Sequence, residues 1–151
     1  MMKLNSMSVI KDIFQITKEG TIQAHKIRAV KRALRTELKL NAKLLVDIQY
    51  GRPISDARRR ALIAMLEINE LSAAVKYDIP FKLICSKKVN FNLAKQFKIK
   101  RIHGFDFEML VESLYLKIAY LKKDHRNENI NLNLRLINIY KYTRILIELL
   151  D

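Results

Sequence analysis

The sequence predicts an all-α fold, a compact antiparallel helical bundle of four main helices plus one or two short ones, in a single domain over residues 1–151. Three observations carry this reading. Apolar residues recur three and four positions apart in every long segment, the spacing that lines one side of a helix. Only three glycines and two prolines occur in 151 residues, too few for a many-turned β fold. They stand between the periodic segments, at Gly20, Gly51, Pro53, Pro80 and Gly104, where helices are expected to stop.

Residues 7–18 set Val9, Ile10, Ile13, Phe14 and Thr17 on one stripe, a short amphipathic helix that Gly20 ends. Residues 21–50 read as a long basic amphipathic helix. At about 100° per residue, Arg28, Lys31, Arg32, Arg35, Lys39 and Lys43 fall in one arc of roughly 120° with no carboxylate among them. The opposite arc carries Ile27, Val30, Leu34, Leu44, Leu45 and Ile48, with Glu37 and Asn41 near its centre. One side of this helix seeks a negative partner, and the other seeks a core that tolerates two polar groups. Gly51-Arg52-Pro53 stops it, and Ser55 or Asp56 caps the next helix, read as one buried element over 56–77. In the basic connector 80–104, Phe81 to Cys85 suits a short strand or a helical turn, and Asn90 or Asn92 caps a brief helix. Residues 106–151 read as a neutral helical hairpin, 107–123 followed by a last helix whose polar strip is only Asn133, Lys141, Arg144 and Glu148. Such a helix belongs at the centre of a bundle or in a subunit interface.

The formal charge of +14 is uneven: residues 1–76 contribute +8, residues 77–104 contribute +6, and residues 105–151 are neutral. A basic excess confined to part of a chain points to nucleic acid or another acidic partner, the alternative being a lysine-rich surface that water alone solvates. The basic arc spans about 22 Å at about 1.5 Å per residue, a length suited to tracking a phosphate backbone. Arg58, Arg59 and Arg60 open the next helix, where cations oppose the helix dipole unless Asp47, Asp56 or Glu67 pairs with them. Lys87, Lys88, Lys98, Lys100 and Arg101 extend the basic candidates into the connector.

Within that connector, residues 93–101 (Leu-Ala-Lys-Gln-Phe-Lys-Ile-Lys-Arg) resemble the first helix and turn of a helix-turn-helix reader. Ala94 takes the small position and Ile99 the buried aliphatic of the turn. Lys98 stands where that turn usually has glycine, and Gly104 where the second helix buries an aliphatic. The nine residues therefore read as a short basic helix in a connector.

Glu37, Asn41, Asn69, Arg135 and Asn138 form a second constellation, polar groups in apolar surroundings. If the long and last helices pack together, Glu37 pairs with Arg135 and the asparagines complete a buried polar layer. That layer fixes register in the bundle, or else lines a ligand pocket. His25, His103 and His125 lack metal-ligand spacing, Cys85 is the single cysteine, and glycine-rich phosphate loops are missing, so neither a metal nor a cofactor is expected. No Ser-His-acid set emerges, and the Arg-to-His spacing of small helical ribonucleases is absent. No signal-peptide stretch and no membrane span are evident, so the chain is expected in the cytoplasm. The expected function is non-enzymatic docking of a polyanion, nucleic acid foremost, on the basic helix face. The alternative is an adaptor or regulator subunit of a bacterial or phage system, using the apolar C-terminal helices to bind a protein partner or a second copy.

Overall fold

The structure, a computed structural model, describes residues 8–16, 24–49, 53–127 and 129–151. Thr17, the break at Gly20, the start of the long helix at Thr21 and its stop at Tyr50 to Arg52 lie outside them. The described residues form eight α-helices and no strand: α1 (Val9–Ile16), α2 (Ala24–Gln49), α3 (Asp56–Met65), α4 (Asn69–Lys76), α5 (Phe81–Ile84), α6 (Phe91–Gln96), α7 (Phe107–Asp124) and α8 (Leu132–Leu150), with a 3-10 turn at Lys100–Ile102. The all-α bundle expected from the sequence is what forms.

Local chemistry sets most helix starts. Ser55 accepts the Arg58 N–H, Asn90 that of Leu93, Asp106 that of Met109 and Asn131 that of Leu134, each satisfying a donor that the first helical turn leaves free. α8 is the central helix. It packs against α2, α7 and α3, and buries Leu136, Ile139, Ile145 and Leu146 completely or nearly so. On the far side of the core, α4 joins α7, α1 and α2. The apolar face of α2 is buried as its pattern requires, through Val30, Leu34, Leu38, Leu45 and Ile48.

The single helix expected over 56–77 is two helices, broken at Leu66–Ile68. No glycine or proline marks the break. α2 makes it: the Asn41 amide donates to the Glu67 carbonyl at 2.8 Å and accepts the Glu67 N–H at 2.8 Å, so the peptide at Glu67 bonds to a side chain instead of continuing a helical ladder. Ile68, at the N-terminal boundary of α4, has no side chain able to cap it, and Glu37 of α2 supplies the acceptors. α3 is also less buried than expected, with only Leu62 and Ile63 fully inside.

The connector resolves into α5, α6 and the 3-10 turn, closed on itself by an antiparallel bridge between Lys88 and Asp106. Gly104, at φ +85°, donates to the Val89 carbonyl, and Val89 donates to that of Phe105. Lys98 adopts φ +56°, so the turn after α6 has the left-handed residue for which glycine is preferred. The chain then makes three residues of 3-10 helix and not a second reading helix. The resemblance to a helix-turn-helix ends at its turn.

Candidate nucleic-acid interface

α2 supplies the longest basic surface. Arg28, Arg32, Lys39 and Lys43 are exposed and Lys31 is half-buried. None of the five forms an ion pair with a described carboxylate. Arg35, expected on the same arc, is used inside the molecule. Its guanidinium donates to the Leu150 carbonyl at 2.6 Å, and its Nε lies 3.3 Å from the Asp151 carboxylate. The last turn of α8 exposes unpaired carbonyls and the negative end of a helix dipole, and Arg35 meets both.

An open groove of about 1030 Å³ runs along this part of α2, lined by Arg28, Arg32 and Leu40 from α2, Val9 from α1, and Asn69 and Glu70 from α4. Glu37 lies at its inner wall, 5% exposed. Glu37 Oε1 accepts the Glu70 N–H at 2.9 Å and Oε2 accepts the Leu71 N–H at 2.8 Å. Glu70 repeats the arrangement one helix further on. Its carboxylate accepts the Val9 and Ile10 N–H groups at 2.7 and 3.2 Å and the Ser8 hydroxyl at 3.2 Å, at the start of α1. Two buried carboxylates therefore sit at two helix N-termini, where free N–H donors and the positive dipole end compensate them. The polar layer has a different composition from the one expected. Glu37 and Asn41 are buried, Asn69 and Asn138 are half-buried, and Arg135 is exposed, away from Glu37. A helix N-terminus satisfies the acid without desolvating a guanidinium, which is the less costly arrangement.

Burial pushes the Glu37 carboxyl up from 4.5 to about 7, with Glu70 and Glu67 adding to the rise and the two backbone bonds opposing it. A carboxyl titrating near neutrality at the wall of a groove has the profile of a general acid or base. Its geometry argues otherwise, because both oxygens are committed to backbone N–H groups. Glu37 holds the architecture.

The α3 arginines divide by role. Arg58 is exposed; Arg59 pairs with Asp56 at 2.9 Å; Arg60 donates to the His125 carbonyl at 3.2 Å, just past the end of α7. Lys122 of α7 reciprocates, donating to the Ile63 and Ala64 carbonyls at the end of α3, and burial lowers its pKa. The connector cations Lys87, Lys88, Lys98, Lys100 and Arg101 are all exposed.

The structure also assembles a basic group that sequence spacing could not. Lys117 of α7 sits with its ammonium 5.0 Å from the centroid of the Tyr142 ring of α8. Arg135 of α8 lies 5.7 Å over Tyr120 of α7, as an antiparallel hairpin allows. Burial lowers the Lys117 pKa, and Arg101 and Arg135 lower it further.

Among the described residues, no three His, Cys, Asp or Glu side chains gather where they could hold a metal ion, and no helix is long and apolar enough to cross a membrane. Compared with known protein families, curated proteins and solved structures, the chain matches none.

Proposed function

We propose that this protein is a non-enzymatic binding protein that docks a polyanion, nucleic acid foremost, on the outer face of α2. The observation that supports the reading is the row of Arg28, Lys31, Arg32, Lys39 and Lys43, cations that no described carboxylate neutralises and that extend about 22 Å along one rigid helix. Backbone phosphates recur along a duplex, and a helical row of flexible cations can track them without reading bases. Arg35 is not part of this surface, and Arg59 is only partly available to it.

The test is binding of random-sequence duplex DNA and RNA at low and moderate salt by the parent chain and by an Arg28→Gln, Arg32→Gln, Lys39→Gln triple variant. The variant should bind more weakly whatever the sequence. Its salt dependence should flatten by up to about 0.9 for each duplex phosphate that is no longer neutralised. Parent-like binding at both salts would refute the reading.

A second reading has one observation in its favour. Met109, Leu116 and Tyr120 are exposed along α7, an apolar row suited to a protein partner. α8, a candidate interface by its apolar circumference, is instead buried at the centre of the bundle. The mass of the chain in solution, with and without nuclease treatment, separates self-association from nucleic-acid bridging.

A further inference from the structure

Lys117 and Tyr120 stand one turn apart on α7, and α8 sets Tyr142 against the first and Arg135 over the second. Arg101 of the 3-10 turn is near enough for its charge to act on Lys117, and no described carboxylate forms an ion pair with any of the three cations. Burial lowers the pKa of the half-buried Lys117 ammonium, and the like charges of Arg101 and Arg135 lower it further. Two tyrosines complete the group. Tyr142 is buried beneath the Lys117 ammonium and fixes where that charge sits. Tyr120 is 55% exposed, with the Arg135 guanidinium over its ring.

Each component has a chemical preference. Two guanidinium groups and an ammonium within one another's field suit the oxygens of a phosphate, which no neutral or cationic ligand would satisfy. An exposed tyrosine ring with a guanidinium over it suits a flat aromatic ring. A phosphate next to a flat ring is a nucleotide unit. In a duplex the base faces are stacked on one another and closed to Tyr120; in a single strand they are open.

We propose that Arg101, Lys117, Arg135 and Tyr120 form a seat for one nucleotide of a single-stranded nucleic acid, with the phosphate among the three cations and the base against the tyrosine. The seat shares no residue with the α2 face, and α2 and α7 each pack on α8 and α4. It rests on the proposed function only in taking nucleic acid as the partner. A strand held here is read by stacking, so its binding tolerates changes of sequence.

The experiment measures binding of the full chain to three probes: a labelled 20-nucleotide oligo-dT, a duplex of the same length, and inorganic polyphosphate, which has phosphates but no bases. Tyr120→Ala should weaken oligo-dT binding about five-fold or more, the range for loss of one base–aromatic stack, and leave duplex and polyphosphate binding at the parent level. Tyr120→Phe should retain parent binding to all three. Arg101→Gln with Arg135→Gln should weaken oligo-dT binding and flatten its salt slope by about 0.7 for each single-strand phosphate left without its cation. These three side chains are exposed, so thermal melting of the variants should match the parent.

Parent-like oligo-dT binding by Tyr120→Ala, or equal losses on all three probes, would overturn the seat. Duplex binding that depends on Arg28, Arg32 and Lys39 would then still stand by itself. Conversely, if the α2 variant behaves as the parent while Tyr120→Ala loses oligo-dT, the seat stands and the α2 face fails. A parent chain that binds none of the three probes refutes both.

Discussion

The acids of α2 and α4 and the cations around them are placed by the same rule with opposite results. Glu37 and Glu70 are turned inward, each buried against the N-terminus of a neighbouring helix. Arg35, Arg60 and Lys122 reach the carbonyls at the C-terminal ends of α8, α7 and α3. Both groups answer the unpaired backbone atoms and partial charges of helix ends. The difference lies in supply. With 29 lysines and arginines against 15 carboxylates, helix ends and ion pairs cannot absorb all the cations, and the surplus lies in the segments before residue 105, on α2 and in the connector. On the proposed reading, the inner acids belong to stability and the outer cations to binding. Three experiments test how cleanly that division holds, beginning with the largest expected effect.

Glu37→Ala removes the acceptors of two buried N–H groups and should destabilise by about 3–5 kcal/mol, at about 1–3 kcal/mol per stranded donor with a cavity added. That is a large share of a typical stability of about 5–15 kcal/mol. Chemical denaturation would measure it, and a loss below about 1 kcal/mol would show that α4 finds another cap. The acid also makes stability depend on pH. Its folded pKa of about 7 lies above its ordinary 4.5, so the folded state binds the proton more tightly than the unfolded chain does. The stabilisation from this linkage is complete below pH 4.5 and is lost as pH rises through about 7, by about 3 kcal/mol in all. Glu37→Gln cannot titrate. Its stability relative to the parent should therefore improve between pH 4.5 and pH 8, and a difference that stays constant would show that Glu37 is ionised throughout.

How far this division can be read in the sequence depends on the distance each signal has to travel. The two faces of α2, the burial of Glu37 and Asn41, and the caps at Ser55, Asn90 and Asp106 all follow from residues within a few positions of one another. The break at Leu66–Ile68 does not, because Glu37 and Asn41 impose it from another helix while Leu62 to Val75 keep an unbroken helical pattern. Arg135 reads as interior because α8 is apolar around most of its circumference, which leaves its spacing little power to say which side faces water. The association of Arg101, Lys117 and Arg135 is a product of tertiary packing, and nothing in their separate segments announces it. For Arg35 the arc is right but its end point is hidden: the carbonyl it meets belongs to a residue 115 positions away.

Arg35 stands at the border between the two groups. It shares the outer arc of α2, yet it ties α2 to the end of α8, and its side chain is one-third exposed. Arg35→Gln should cost about 1–2 kcal/mol, the range for a charged hydrogen bond reduced by partial solvent exposure. In a chain of this length that is a fall in melting temperature of about 2–8 °C. Polyanion affinity should change less than it does for Arg28→Gln. A stable Arg35→Gln variant with weakened binding would move this residue across the border.

The smallest stability effect is expected where the binding effect is greatest. Arg28, Arg32 and Lys39 are exposed, point away from the buried face of α2, and pair with no described carboxylate. Their replacement by glutamine removes no cap, opens no cavity and keeps a residue of good helix propensity. It also relieves repulsion between cations one turn apart at Arg28 and Arg32, worth a few tenths of a kcal/mol. The melting temperature of the triple variant should lie within about 2 °C of the parent or slightly above it, and the gap should close in high salt, where the repulsion is screened. A marked loss of stability would mean that these cations serve the fold as Arg35 does. The excess charge of α2 would then be structural, and its outer face would have no surplus to offer a partner.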